Sequence, residues 1–180
     1  GILFKSAEAL ETLHNAQVIV LDKTGTVTEG KPAVTDIIPL GVEEAELLSV
    51  AASLEKLSGH PLSAPIVMEA ARRNIPLRAV EAYRLVPGQG ITGSIDGTPC
   101  FAGNAKMMAE QGIAIQTRDG VSGTAGKTVL YFASERTLLG MIALADTVKP
   151  TSAEAIASLT RIGLEVILLT GDPEDTAEAI

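Results

Sequence analysis

The chain has a single cysteine, Cys100, in 180 residues. One thiol cannot close an internal disulfide. With no C-x-x-C pair there is also no thiolate clamp for zinc or copper, which fits a reducing compartment. Cys100 is expected to be a small buried strand residue. Positive charge is short as well, since 14 Lys and Arg stand against 22 Asp and Glu, a net charge of -8. That balance argues against any broad affinity for nucleic acid or for an anionic membrane surface, so phosphate chemistry must be local. No apolar run approaches the roughly 20 residues of a membrane span, the N-terminus has no signal-peptide pattern, and the sequence reads as soluble. Repeats and low-complexity tracts are missing too. What remains is 46% hydrophobic residues, enough to bury the core of one or two globular domains.

The two ends of the chain read alike. Ser6 to His14 has the pattern of a short helix, and the run Val18-Ile19-Val20-Leu21 ends at Asp22 as a buried parallel strand would. Ser152 to Ile162 is an amphipathic helix stopped by Gly163, and Val166-Ile167-Leu168-Leu169 is a second buried strand leading into Thr170-Gly171-Asp172. Ligands of open α/β sheets bind beyond the carboxyl ends of strands, so the two polar loops are expected to converge on one site. The middle differs. Helices over about Glu43 to Leu57 and Leu62 to Asn74 precede strands at Val80 to Val86, Ile91 to Ile95, Pro99 to Ala102, Thr128 to Ala133 and Leu138 to Leu144. Asp96-Gly97 makes a tight hairpin turn among them. The expected architecture combines α/β and α+β parts: a discontinuous α/β domain from residues 1–38 and 143–180, interrupted by an antiparallel-sheet domain over residues 39–142.

Asp22-Lys23-Thr24-Gly25-Thr26 sets a carboxylate at a strand end, followed by a cation, two hydroxyls and a glycine that lets backbone N–H groups turn toward an anion. Such a loop can cradle phosphate beside a built-in nucleophile, because a carboxylate attacks phosphorus to give an aspartyl-phosphate. The plain alternative is a helix cap or a turn. His60 beside Pro61 could be a loop or core histidine, Gly88-Gln89-Gly90 a mere turn, and Asn104 the N-cap of the next helix.

Together these residues resemble the P-type ATPases of the haloacid-dehalogenase-like superfamily. Asp22-Lys23-Thr24-Gly25-Thr26 is similar to that family's phosphorylation signature and Thr170-Gly171-Asp172 to its second phosphate-contacting motif, with Pro173 standing where the family usually has Asn. Ser58-Gly59-His60-Pro61-Leu62, with Glu55 before it, resembles the adenine-contacting signature of the heavy-metal branch. Gly88-Gln89-Gly90 and Gly103-Asn104 match that branch's glycine loop and Gly-Asn pair. The resemblance covers essentially the whole chain and implies a partial Rossmann-like phosphorylation domain with an inserted nucleotide-binding domain. It implies Asp22, Lys23, Thr24, Thr170, Gly171 and Asp172 as the catalytic set and Glu55, His60, Gly88, Gly90, Gly103 and Asn104 as the ATP contacts. Mg2+ would sit at Asp22 and Thr24. Asp146, Lys149 and Pro150 would form the hinge, with Lys149 either solvated or facing phosphate.

The superfamily's phosphatases usually carry a second Asp where Thr24 stands, and a hydroxyl cannot deprotonate water well near neutral pH, so a phosphoenzyme is expected to persist. The resemblance further implies a cytoplasmic segment of an integral membrane protein that exports a metal, most like the copper(I) exporters, working with transmembrane helices and an actuator domain. Gly1 to Lys5 looks like the stretch just after a membrane helix. Since the family's Gly-Asp-Gly loop, with its Mg2+ acid, and its neutralising lysine are not in the sequence, the chain is expected to be an excerpt that binds nucleotide with little turnover. A soluble phosphatase of the same superfamily and a nonenzymatic nucleotide-binding module remain the alternatives.

Overall fold

The computed structural model describes residue 3 and residues 5–115 and 126–170, and the statements below concern these. In chain order the helices are α1 (Ala7–His14), α2 (Glu44–Glu55), α3 (Ser63–Arg72), α4 (Ala105–Glu110) and α5 (Ser152–Arg161). The strands are β1 (Val18–Asp22), β2 (Thr28–Pro39), β3 (Val80–Val86), β4 (Gly90–Ile95), β5 (Thr98–Gly103), β6 (Thr128–Ser134), β7 (Thr137–Val148) and β8 (Glu165–Leu169). The described residues group into two compact units, one drawn from residues 3, 5–31 and 146–170, the other from residues 32–115 and 126–145. These limits fall a few residues from those read in the sequence. The reason is local: β2 and β7 run unbroken across both limits, so no loop composition marks them.

In the first unit β1 and β8 pair in parallel, Val18 opposite Glu165 through Asp22 opposite Leu169. Leu21, Val166 and Leu168 share a concavity with Ile156 and Thr160 of α5, so the amphipathic helix covers one side of this sheet. The other side is open: Val20 is 56% and Leu169 61% exposed. The expectation of strands buried on both faces is thus corrected for the described residues, because a two-stranded sheet with one helix has only one covered face.

The second unit is built on a sheet of order β2-β7-β6-β5-β4-β3, antiparallel from β7 to β3. Asp96 and Gly97 both take positive φ, 52° and 77°, as the two-residue turn between β4 and β5 requires. From Leu47 to Glu55 every residue of α2 is buried, and the helix packs with Ile66 and Ala70 of α3 against Ile91, Phe132 and Ile142 of the sheet. Each buried Leu, Val, Ile or Phe side chain among these contributes about 1.5–3 kcal/mol of transfer free energy. Cys100 is 2% exposed within this core, as expected. Strand β2 was not legible, since Gly30, Pro32 and Pro39 break its pattern; it lies at the sheet's edge, where a missing N–H is tolerated. Among the described residues no helix is long and apolar enough to cross a membrane.

Candidate functional site

Two loop systems carry the residues singled out in the sequence, one in each unit. In the second unit, helices α2 and α3 end and begin beside the β3–β4 turn and the start of α4. Between them is a cavity of about 340 Å3, within the usual range for small-molecule sites. Glu55, His60, Gly88, Gly90, Gly103 and Asn104 all line it, and Leu62, Leu85, Ile91 and Leu130 supply apolar walls. A larger concavity of about 420 Å3 beside Pro39, Gly41 and Arg136 contains none of these residues.

Each polar group at the cavity is held differently. Glu55, the last residue of α2, is 6% exposed, and burial pushes its carboxyl above the usual carboxylate range, opposed by a hydrogen bond from the Ser63 hydroxyl and by His60. His60 is exposed, and its Nδ1 accepts the Leu62 backbone N–H at 3.2 Å. A backbone amide can only donate, so the neutral ring carries its proton on Nε2. The His60 N–H in turn donates to Ser58 Oγ at 3.1 Å. Asn104 caps α4 as expected, its Oδ1 accepting the Met107 N–H at 3.1 Å, while its Nδ2 donates to the Gly88 carbonyl at 3.0 Å. The side chain therefore ties the 87–90 loop to the helix.

The glycines divide by role. Gly88 has φ +70° and nothing within 4 Å of a Cβ built on it, so its backbone conformation calls for glycine and its open side is free for a ligand. Gly90 and Gly103 are directly opposed across β4 and β5. A Cβ on Gly90 would meet the Ala102 carbonyl oxygen at 2.1 Å, and one on Gly103 would meet the Gln89 carbonyl oxygen at 2.4 Å and Met107 Sδ at 2.6 Å. Their bareness lets two strands and a methionine meet, rather than opening backbone to a ligand.

In the first unit Asp22 closes β1 and is exposed, and the chain turns tightly over Lys23–Val27, with Gly25 at φ +78° and the Thr28 N–H returning to the Lys23 carbonyl. Asp22 makes no side-chain cap in this turn, which sets aside the capping reading. Thr24 and Thr26 are exposed beside it, whereas Lys23 is 7% exposed. The rear of the loop is braced. The buried Thr28 hydroxyl accepts the Gly25 N–H at 3.2 Å and meets the carboxylate of Asp146, whose second oxygen takes the Lys31 N–H at 3.1 Å. Lys149 Nζ donates to the carbonyls of Gly25 at 2.7 Å and Thr26 at 3.1 Å, and Ser152 Oγ donates to that of Val27 at 2.7 Å. Lys149 is thus a loop brace, and neither sequence reading of it anticipated that. Thr170 follows β8 directly, one residue past the partner of Asp22, so the two strand ends lie side by side. Gly171 and Asp172 lie outside the described residues.

An ion with hard oxygen preferences, such as Mg2+, accepts one or two carboxylates and completes its shell with phosphate and water. Asp22 and Thr24, an exposed carboxylate and a hydroxyl residue at one loop, offer donors of that type. Among the described residues no three His, Cys, Asp or Glu side chains cluster to hold a metal.

Sequence reasoning missed Ser63, which is 3% exposed and holds Glu55. The available signal was a hydroxyl at the first position of a helix that follows the Glu55 helix by a short loop. The profile described as haloacid dehalogenase-like hydrolase matches residues 16–180. Over its whole length the chain is 44% identical to a copper-transporting P-type ATPase of Rhizobium leguminosarum bv. viciae and 41% identical to a silver exporting P-type ATPase of Salmonella typhimurium. It spans 22% of the length of each of these relatives. A crystal structure of a zinc-transporting PIB-type ATPase in the E2.Pi state superimposes with a TM-score of 0.83 at 34% identity, covering 98% of this chain and 29% of that one.

Proposed function

The chain belongs to the haloacid dehalogenase-like hydrolases, and from that premise we propose that it is the ATP-binding and phosphoryl-accepting cytoplasmic segment of a P-type cation-transporting ATPase. The observation that carries this reading is the convergence of Glu55, His60, Gly88, Gly90, Gly103 and Asn104 on one cavity. The apolar walls would take the adenine ring, the Glu55 carboxylate its amino group, and His60 Nε2–H or the imidazole face another part of the nucleotide. Asn104 would hold the Gly88 loop in place for it.

ATP bound there would supply the phosphoryl group to Asp22. An Asp22 carboxylate oxygen forms the bond to the γ-phosphorus while the bond from phosphorus to the bridging oxygen breaks, and ADP leaves with that electron pair. Lys149, Ser152 and Asp146 hold the loop that follows Asp22, which would limit its reorganisation on phosphoryl transfer. Asp22 and Thr24 would hold Mg2+, which when bound neutralises charge on the phosphates. Thr170 would donate to the phosphoryl oxygens, with Gly171 and Asp172 completing that motif. Thr24 next to the nucleophile disfavours the soluble-phosphatase reading, because no carboxylate stands there to activate water.

For the whole protein we propose metal export across the cell membrane, with transmembrane helices and an actuator domain as partners. Copper(I) is favoured by the copper- and silver-named relatives at 44% and 41% identity, against 34% for the zinc transporter. ATP titration followed by amide NMR should move signals near His60 and Gly90, and His60→Ala should weaken ATP by about tenfold without lowering the melting temperature. Unchanged affinity in that variant would count against the cavity. Asp22→Asn must abolish any hydroxylamine-sensitive label from ATP and Mg2+, and label that persists would place the acceptor elsewhere.

A further inference from the structure

Ser63 opens α3 and is 3% exposed, its N–H donating to the His60 carbonyl at 3.0 Å and its hydroxyl to Glu55 Oε2 at 2.5 Å. Among the described residues the hydroxyl has no second acceptor, so its single proton is committed to the carboxylate. Among the described residues Glu55 Oε1 has no hydrogen bond of its own. Since no fully buried side-chain oxygen among the described residues lacks a partner, Oε1 is not fully buried, and Glu55 is among the residues that line the cavity. The carboxylate is therefore divided, one oxygen held by Ser63 and the other without a hydrogen bond among the described residues.

We infer that Ser63 is a positioning residue for the nucleotide base: by donating to Oε2 it presents Oε1 as an anionic acceptor that selects a ring bearing an exocyclic amino group. This rests on the reading of the cavity as the ATP site. The alternative task for Ser63, merely starting α3, does not require its hydroxyl to point at Glu55. Among the described residues lining the cavity His60 is the only other titratable group, from the loop before α3, while β3, β4, β5 and β6 contribute none. Burial raises the Glu55 carboxyl and the Ser63 bond opposes that rise. Without Ser63 the carboxyl should protonate at higher pH, and a neutral acid offers a weaker acceptor at Oε1.

The test uses the full chain with ATP and with purine riboside triphosphate, which lacks the 6-amino group, titrated by calorimetry from pH 5.5 to 8. Ser63→Ala should lose about tenfold in affinity for ATP at the acid end, with much less change for the purine analogue, and Ser63→Thr should recover most of the loss. In carboxyl-labelled protein the Glu55 titration should move to higher pH in Ser63→Ala, with no ligand present. Equal losses for both nucleotides, or an unmoved Glu55 titration, would overturn the inference and leave the ATP site standing. Wild-type protein that binds neither nucleotide would overturn both.

Discussion

Replacing Asn104 separates two things that its side chain does at once. Its Oδ1 caps α4 and its Nδ2 anchors the Gly88 carbonyl. Asn104→Ala removes both, at a cost of about 1 kcal/mol for the cap and about 1 kcal/mol for the loop bond. With a urea m-value of roughly 2 kcal/mol/M, the unfolding midpoint of the second unit should fall by about 1 M. Asn104→Asp keeps an acceptor at the cap and adds negative charge at a helix start, which is favourable by about 0.3–1 kcal/mol. It cannot donate, however, and sets a carboxylate against the Gly88 carbonyl. The Asp variant should then be nearly as stable as the parent chain, while both variants lose ATP affinity to a similar extent, about tenfold. Urea unfolding followed by circular dichroism and ATP calorimetry on the same samples measure the two effects. If Asn104→Asp binds ATP like the parent chain, the tether to Gly88 does not shape the cavity and the reasoning fails. If affinity falls only in the Ala variant, in step with stability, the cap alone matters.

Glu55→Gln should raise stability at pH 7, because the folded state holds a buried carboxyl whose ionisation burial disfavours. Its folded pKa is raised, so the penalty is absent where both states are protonated and grows as pH rises through that pKa; urea midpoints should differ at pH 7 and converge near pH 4, while ATP binding weakens. Lys149→Met frees the Gly25 and Thr26 carbonyls and should speed amide exchange across residues 23–28 with ATP affinity unchanged; unaltered exchange would return Lys149 to a solvated role.

What could be read from the sequence follows from how local each signal is. The Asp96-Gly97 turn, strand β3 and the cap at Asn104 depend on residues within a few positions, and they were legible to within a residue or two. The cavity was legible as a list of residues because motif spacing names them, but not as a mechanism. Nothing in the spacing of Gly90 and Gly103 shows that they oppose each other across two strands, and nothing in Ser63 shows that it reaches back eight residues to Glu55. Lys149 was misread because its acceptors are carbonyls more than a hundred residues earlier, which have no side-chain identity to recognise. Strand β2 was hidden by prolines that only its edge position excuses.

The opposed glycines bear on how this pocket can diverge. Any side chain at Gly90 strikes the backbone of Ala102 and Gly103, and any at Gly103 strikes the Gln89 carbonyl and Met107. A first substitution at either place meets main chain that no neighbouring side-chain change can remove, so no stepwise path of single replacements leads away from the pair. Gln89 stands between Gly88 and Gly90 and lines the cavity, without that restriction. Lineages descending from this sequence are therefore free to retune the pocket through residue 89 while inheriting Gly90 and Gly103 unaltered.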